Sequence, residues 1–365
     1  MRSILFGLIG VFAFSAPSAW AFPELIRRGY VSCTACHVSP NGGGVLTPYG
    51  RTISAEVLSH AGTEEEARFA YFVDTIDHLD LGGDIRVLQA YVDTPTARMA
   101  RLIFMQGDLE AAAHYKIFTL AASAGYNPNA ILPDQSWFLS RRFYAMVQPK
   151  KEISFRVGKF LYAYGLNMAD HQISTRRGLN INDEGTESYN IEGAWLGKKA
   201  NFFLTGILGQ ATLPSVQRET GFSAVASYTF GKTYRVGVSY LSLSRPGTIS
   251  GTGRRVMGPF GALGFTEHFF LLSEFDFQNS DIFGWGGATY NRLDYEFIQG
   301  FHVFLTQELT RLQFSVLSSL NKAYGLGLQV FPRPHFEFLA SWQLIATPNQ
   351  LGYTDQGLLL GHFYF

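Results

Sequence analysis

The sequence predicts an all-β fold, an outer-membrane antiparallel β-barrel of about 16 strands behind a small N-terminal segment of coil and helix. Three observations support this prediction. The chain begins with an export signal, and the mature part holds no apolar run of 18 residues or more that could span a bilayer as a helix. From residue 79 onward, short segments alternate between apolar and polar residues. Aromatic residues make up 15% of the chain, which suits a barrel with two aromatic girdles.

The export signal occupies residues 1–21. Arg2 precedes the apolar run at 4–14, and small residues lead to the Ala19-Trp20-Ala21 cleavage pattern. The run is shorter than the roughly 20 residues of a membrane-spanning helix. We therefore predict a cleaved signal peptide and a mature chain that starts at Phe22 in the cell envelope.

The charge balance argues against nucleic acid as a partner. Lys plus Arg and Asp plus Glu are equal at 29 each, and the chain has no long basic block that would neutralise a phosphate backbone. Membrane lipid is the partner that the composition favours.

The next element is a segment at residues 22–77 that lacks strand alternation. Thr63 and Glu66 have the spacing of a capping box, which marks a helix start. Apolar residues follow at helical spacing: Phe69, Phe72, Val73 and Ile76. We expect coil followed by one amphipathic helix.

Residues 78–365 form the predicted barrel. One predicted strand has an apolar face formed by Tyr234, Val236, Val238 and Tyr240. Another has a charged face formed by Arg292, Asp294 and Glu296, which suits a polar lumen. The predicted strands are 79–91, 99–112, 115–126, 137–148, 152–160, 187–196, 199–210, 219–231, 233–245, 254–264, 266–276, 287–297, 301–309, 322–331, 334–345 and 355–365.

The links between strands are short after every even-numbered segment and longer after the odd ones, which places both termini at the periplasmic end. The last residues, Phe363-Tyr364-Phe365, resemble the terminal aromatic strand that the bacterial barrel-assembly machinery recognises. A soluble β-sandwich is the alternative, but about 290 residues of hairpins exceed the usual single domain. Arg141 and Arg142 are adjacent, so one of them would face lipid in a regular strand, and we predict a bulge or a rim position there.

The N-terminal segment contains Cys33-Thr34-Ala35-Cys36-His37, the C-x-x-C-H pattern for attachment of a c-type haem. Two thiols one short turn apart reach the two vinyl groups of one porphyrin edge, and His37 brings an imidazole to the iron. The alternatives are a Cys33–Cys36 disulfide and a thioredoxin-like dithiol. The dithiol would need a βαβ context, which is missing here, and a disulfide would not explain His37.

These residues also carry a family resemblance. Phe22-Pro23, the Arg-containing stretch 26–30, the haem motif and Leu46-Thr47-Pro48-Tyr49-Gly50-Arg51 together resemble the N-terminus of fused monohaem cytochrome-porins. The best-known members are outer-membrane iron oxidases, so the resemblance implies one covalent haem c and electron transfer, with Fe²⁺ as one candidate donor. The Gly-rich spacer at 39–44 departs from the family pattern.

The sixth ligand of the haem iron has three candidates in the sequence, His60, Met168 and His171, and the alternative is an open or weakly ligated iron. The last two lie in the long link 161–186, which also holds Asp183 and Glu184. This link can be interpreted as a metal site or as a solvated extracellular loop. The loop is favoured because the spacing of the possible oxygen and imidazole ligands follows no metal template.

Three functions remain open. The first is electron transfer through the haem between an extracellular donor or acceptor and a periplasmic cytochrome or other carrier. The second is a diffusion porin with a structural or regulatory haem, which the charged lumenal faces fit equally well. The third, a haem enzyme such as a peroxidase, lacks a recognisable distal acid–base pair in the N-terminal segment.

Overall fold

A computed structural model describes residues 23–30, 32–126, 137–168, 172–182, 186–210, 213, 217–246, 252–316, 319–348, 350 and 352–365, so the predicted signal peptide lies outside the described residues. One antiparallel sheet dominates. Its strands are β1 (Leu79–Asp93), β2 (Arg98–Tyr115), β3 (Phe118–Tyr126), β4 (Phe138–Leu139), β5 (Phe143–Lys150), β6 (Ile153–Phe160), β7 (Ser188–Leu196), β8 (Ala200–Gly209), β9 (Thr220–Phe230), β10 (Tyr234–Arg245), β11 (Thr252–Gly264), β12 (Phe269–Ser280), β13 (Gly284–Ile298), β14 (Phe301–Arg311), β15 (Leu320–Val330), β16 (Phe336–Ala346) and β17 (Thr354–Tyr364).

The sheet closes on itself because β1 pairs with β17 as well as with β2. Strands β4 and β5 both pair with β3, so they are two pieces of one interrupted strand. Counted in this way, the described barrel has 16 strands around its circumference. The predicted 16-strand barrel is confirmed, and the predicted strands match the observed ones to within a few residues. No helix in the described part of the chain is long and apolar enough to cross a bilayer.

The two faces of the wall follow the alternation of the sequence. Along β10, Tyr234, Val236 and Val238 are exposed, whereas Ser239 and Leu241 are buried. The charged residues that we assigned to the lumen, at positions 292, 294 and 296, are all buried inside the barrel. The exposed apolar side chains cover the outer surface, as lipid requires.

The adjacent arginines lie in a bulge between β4 and β5, as predicted. The backbone N–H groups of Arg141 and Arg142 both donate to the Ser123 hydroxyl oxygen, at 3.0 and 2.9 Å, so the interrupted strand presents both side chains inward. Arg141 then pairs with Asp108 at 2.7 Å, and Arg142 with Glu110 at 3.3 Å. The bulge thereby avoids a charge on the lipid face.

The described residues before β1, 23–30 and 32–78, pack into the barrel at its short-turn end, and we call them the plug. They contain 3₁₀ turns at Pro23–Arg28, Cys33–Ala35 and Glu64–Ala67 and a helix α1 (Pro48–Ile53) that continues into a π-helical turn, Ser54–Leu58. The plug is bonded to the turns between strands: the His60 backbone N–H donates to the Phe331 carbonyl oxygen at 2.7 Å, and the Gln299 amide donates to the Ser59 carbonyl oxygen at 2.8 Å.

The amphipathic helix predicted through Phe69 to Ile76 is wrong. The capping box of Thr63 and Glu66 is present, but the helical turn ends at Ala67. Ala70 and Tyr71 have φ angles of 49° and 71°, which no α-helix accepts. The Tyr71 hydroxyl donates to the Pro334 carbonyl oxygen at 2.7 Å, so contacts with the barrel rim replace the local helical preference.

The link between β6 and β7 folds into the lumen, so the described part of it is not the solvated extracellular loop that we expected. Tyr164, Leu166, Ile173 and Arg176 are all buried. The Tyr164 hydroxyl donates to Asp276 on β12 at 2.8 Å. Two other links at the end of the barrel where we expected long loops, 94–97 and 281–283, are short turns.

Candidate functional site

The haem motif forms one tight turn. The backbone N–H groups of Cys36 and His37 donate to the Cys33 carbonyl oxygen at 3.2 and 2.9 Å, so the two thiols lie one turn apart. Cys33 and Cys36 do not form a disulfide with each other; Cys36 is buried and Cys33 is partly exposed. His37 then pairs with Leu46 in a short antiparallel bridge.

The spacer between these paired residues contains three glycines that carry its sharp turn. Gly42, Gly43 and Gly44 have φ angles of 87°, 72° and 69°, in the left-handed region where glycine is favoured. A Cβ at Gly42 would lie 3.4 Å from the Cys33 sulfur, and one at Gly44 would lie 2.9 Å from an Arg142 nitrogen. The Gly-rich spacer therefore lets the haem motif pack closely against the barrel wall.

Helix α1 holds the motif from the other side. The Thr47 hydroxyl oxygen accepts a hydrogen bond from the Gly50 N–H at 3.1 Å, and Pro48 occupies the first helical position. A Cβ at Gly50 would lie only 2.3 Å from the Cys36 carbonyl oxygen, so the helix touches the motif backbone directly. The Arg51 guanidinium donates to the Leu81 carbonyl oxygen on β1 at 2.8 Å. This helix was not predicted from the sequence, although Thr-Pro is an ordinary start signal.

A buried arginine on β6 ties the spacer to the wall. Arg156 pairs with Glu192 on β7 at 2.7 Å, and each side chain is 1% exposed. Its two terminal nitrogens donate to the side-chain oxygens of Ser39 and Asn41, each at 2.9 Å. Charge-assisted bonds of this kind are stronger than neutral ones, so they fix the position of the spacer.

Cys33, Cys36 and His37 line one cavity of about 920 Å³ inside the barrel. Its size is within the range of ligand pockets, about 300–1,000 Å³. The cavity extends along the wall to residues at the long-loop end, such as Thr310 and Asn321. The opposite end of the barrel is occupied by the plug.

The surroundings of His37 keep its imidazole neutral. Burial, assisted by the positive charge of Arg142, lowers the pKa of His37 to about 4, against the opposing influence of the Gly44 backbone and Asp84. A neutral imidazole is the form that binds a metal. The two thiols, the neutral imidazole and the adjoining cavity together fit a covalently attached haem.

The sixth-ligand candidates are separated by the structure. Met168 lines the same cavity as the haem motif. His60 is exposed at the barrel rim, where its Nδ1 atom lies 3.1 Å from the Gln299 carbonyl oxygen, so it is not a candidate in this arrangement. His171, Asp183 and Glu184 lie outside the described residues. Within the described ranges, no group of three or more His, Cys, Asp or Glu side chains is arranged to bind a metal ion.

Met105, which is not among the residues predicted from the sequence, also lines the cavity. It lies in β2 where the pairing with β1 shifts, so that Gln106 faces Arg86 and Phe104 faces Val87 while Met105 has no partner residue. A bulge of this kind is not visible in the alternation of the sequence.

Comparisons with known proteins identify the fold through solved structures. The anion-selective porin from Comamonas acidovorans is 14% identical, with 79% of this chain and 99% of that chain covered and a TM-score of 0.60. OmpT of Vibrio cholerae is 8% identical, with 80% and 100% covered and a TM-score of 0.62. OmpF of Salmonella typhi, in a complex with daunomycin, is 12% identical, with 79% and 97% covered and a TM-score of 0.57. The fold is that of an outer-membrane porin.

The porin fold places this chain in the bacterial outer membrane, with lipid around its wall. The covered share is about the size of the barrel without the plug. No family model matches the sequence, and no curated protein matches it. The similarity therefore concerns the fold alone.

Proposed function

We propose that this protein transfers electrons across the outer membrane through one haem c, attached to Cys33 and Cys36 and bound by His37. The exchange runs between an extracellular donor or acceptor, for which Fe²⁺ is one candidate, and a periplasmic cytochrome or other carrier. The proposal extends the porin fold by a redox centre on the plug.

The position of the motif carries this proposal. The cavity beside Cys33, Cys36 and His37 reaches the long-loop end of the barrel, while the plug closes the end with the short turns. A small extracellular reactant could therefore approach the haem from one side, and a carrier could approach the plug from the other. One centre inside the barrel divides a hydrocarbon layer of about 30 Å into two shorter distances.

Each part of the site has a role in this scheme. The bound haem would supply reversible one-electron chemistry at its iron. The two thiols hold it without a large apolar pocket, His37 provides a nitrogen ligand, and the Arg156 network fixes the spacer behind the motif. The barrel wall separates the haem site from lipid, so reactants can reach this site only through the two ends of the barrel.

A diffusion porin with a structural or regulatory haem is the second candidate. The structural neighbours support this channel function more directly than they support electron transfer, because they include porins and an outer-membrane channel. Charged and polar side chains line the cavity, as in a water-filled channel, and Arg142, Arg177 and Glu308 are among them.

The first experiment tests the cofactor. Mass spectrometry of the mature protein should show one added haem, and the denatured, reduced protein should give a c-type pyridine haemochrome spectrum. The Cys36→Ser variant should lose the stable attachment. Absence of a haemochrome in the wild-type protein would refute the proposal.

The second experiment separates the two functions. Protein in liposomes should let an external reductant reduce an enclosed acceptor, and His37→Ala should abolish this transfer while the barrel still assembles. Large open-channel conductance in planar bilayers, together with transfer that persists without haem, would favour the diffusion porin instead.

A further inference from the structure

We propose that Met168 is the second axial ligand of the haem iron, opposite His37. This inference rests on the proposed function, since it concerns the haem that electron transfer requires. It assigns a specific role to the link between β6 and β7, whose described part folds into the lumen next to the plug.

The backbone before Met168 is fixed in place by the wall. The Gly165 N–H donates to the Ser239 hydroxyl oxygen and the Leu166 N–H donates to Glu274, both at 2.8 Å. Asn167 has a φ angle of 52°, in the left-handed region that non-glycine residues seldom adopt. Asparagine adopts this region more readily than most non-glycine residues, so the sequence itself favours the turn that precedes Met168.

The same stretch touches the haem segment. The Asn167 side-chain amide donates to the Asn41 carbonyl oxygen. Asn41 precedes Gly42, which lies against the Cys33 sulfur. Met168 thus follows directly after a residue that contacts the spacer, and it lines the same cavity as the haem motif.

The burial of His37 decides which of its ring nitrogens can bind iron. The Nδ1 atom is buried among protein atoms, so Nε2 is the nitrogen left for iron. His37 and Met168 line the same cavity, so the imidazole and the thioether border one space.

Two other side chains in the cavity could compete. His362 on β17 has both ring nitrogens 2.8 Å from carboxylate oxygens, one of Glu337 and one of Asp84, so neither nitrogen is open to iron. Met105 lies on β2 in the barrel wall, whereas Met168 lies on the link that contacts the spacer at Asn41. Met105 offers a matched control, since it is a second methionine in the same cavity.

Spectroscopy and potentiometry of the haem-loaded full chain test the inference. Oxidised wild-type protein should show the sulfur-to-iron charge-transfer absorption of methionine ligation, and Met168→Leu should lose it. The reduction potential of Met168→Leu should fall, because methionine ligation raises it. Met105→Leu should keep both properties, and Met168→His should restore a six-coordinate spectrum at a lower potential.

The outcomes are distinct. An unchanged spectrum and potential in Met168→Leu, or their loss in Met105→Leu, would overturn the assignment of Met168 while leaving the haem in place. A wild-type chain without covalent haem would overturn both this inference and the proposed function. Heat-modifiable migration of each variant on a gel checks that the barrel has assembled, and the Met168→His variant reports on the ligand if Met168→Leu assembles poorly.

Discussion

The wall and the plug of this protein are specified in different ways. The wall repeats a two-residue pattern, and each strand pairs with neighbours whose exposed and buried faces match its own. The plug has little regular structure and is held by individual polar contacts with the wall, such as those of Arg156 with Ser39 and Asn41. The wall should therefore tolerate loss of the plug better than the plug tolerates changes in the wall.

The largest effect should come from breaking the main contact between the two regions. Arg156→Met leaves the Glu192 carboxylate buried without its cation, and breaking a buried pair in this way costs about 3–5 kcal/mol. We expect the spacer at 39–44 to lose protection from hydrogen exchange while the barrel remains assembled. Arg177→Met, at an exposed arginine that lines the same cavity, should have little effect.

The double variant Arg156→Met, Glu192→Gln sharpens this test. Removing both charges should restore stability to strands β6 and β7, because the uncompensated carboxylate is then gone, but the spacer should stay unprotected because it still lacks the bonds from Arg156. Equal loss of protection in the barrel strands and the spacer would contradict the proposed independence of the wall.

A second comparison concerns the two faces of one strand of the wall. Leu326 on β15 is exposed on the outer surface, whereas Ala323 on the same strand lines the cavity. Leu326→Arg should destabilise the barrel by about 2–4 kcal/mol, since an arginine near the bilayer midplane is costly. Ala323→Arg should cost much less because the lumen is polar. Denaturant titration in lipid vesicles measures both, and similar losses would show that the two faces are wrongly assigned.

The same contrast explains what the sequence predicted. Alternation is a local property, so positions such as Val236 and Val238 indicated the strands, their faces and the closed barrel. Arg141 and Arg142 predicted a bulge because two adjacent charges do not fit a regular strand. The haem motif was visible because its chemistry requires close spacing along the chain.

The plug and the inward link were not predictable to the same degree. The residues after Glu66 have helical spacing, but Tyr71 contacts Pro334, which is 263 positions further along the chain. No local sequence pattern reveals a contact between residues so far apart. The fold of the link depends similarly on Glu274 and Asp276, which are on distant strands. The position of Met168 in the cavity became visible only once these contacts were known.

The smallest effect should come from the exposed contact between the plug and the rim, where Glu66 pairs with Arg333. Burial alone would raise the pKa of Glu66, but hydrogen bonds from Arg333 and the Thr63 backbone outweigh it and lower the pKa. Because the carboxyl is more acidic in the folded protein, its contribution is complete above about pH 4.5 and disappears as the pH falls through the lowered value. Glu66→Gln should lower the free energy of unfolding by at most about 1 kcal/mol at neutral pH, as expected for an exposed ion pair.

Hydrogen exchange at residues 64–67 should distinguish the variant from wild type at pH 7, and the difference should vanish in acid. Glu64→Gln, at an exposed neighbour, should leave exchange unchanged. A difference between Glu66→Gln and wild type that persists in acid would mean that Glu66 acts through its shape and not through its charge.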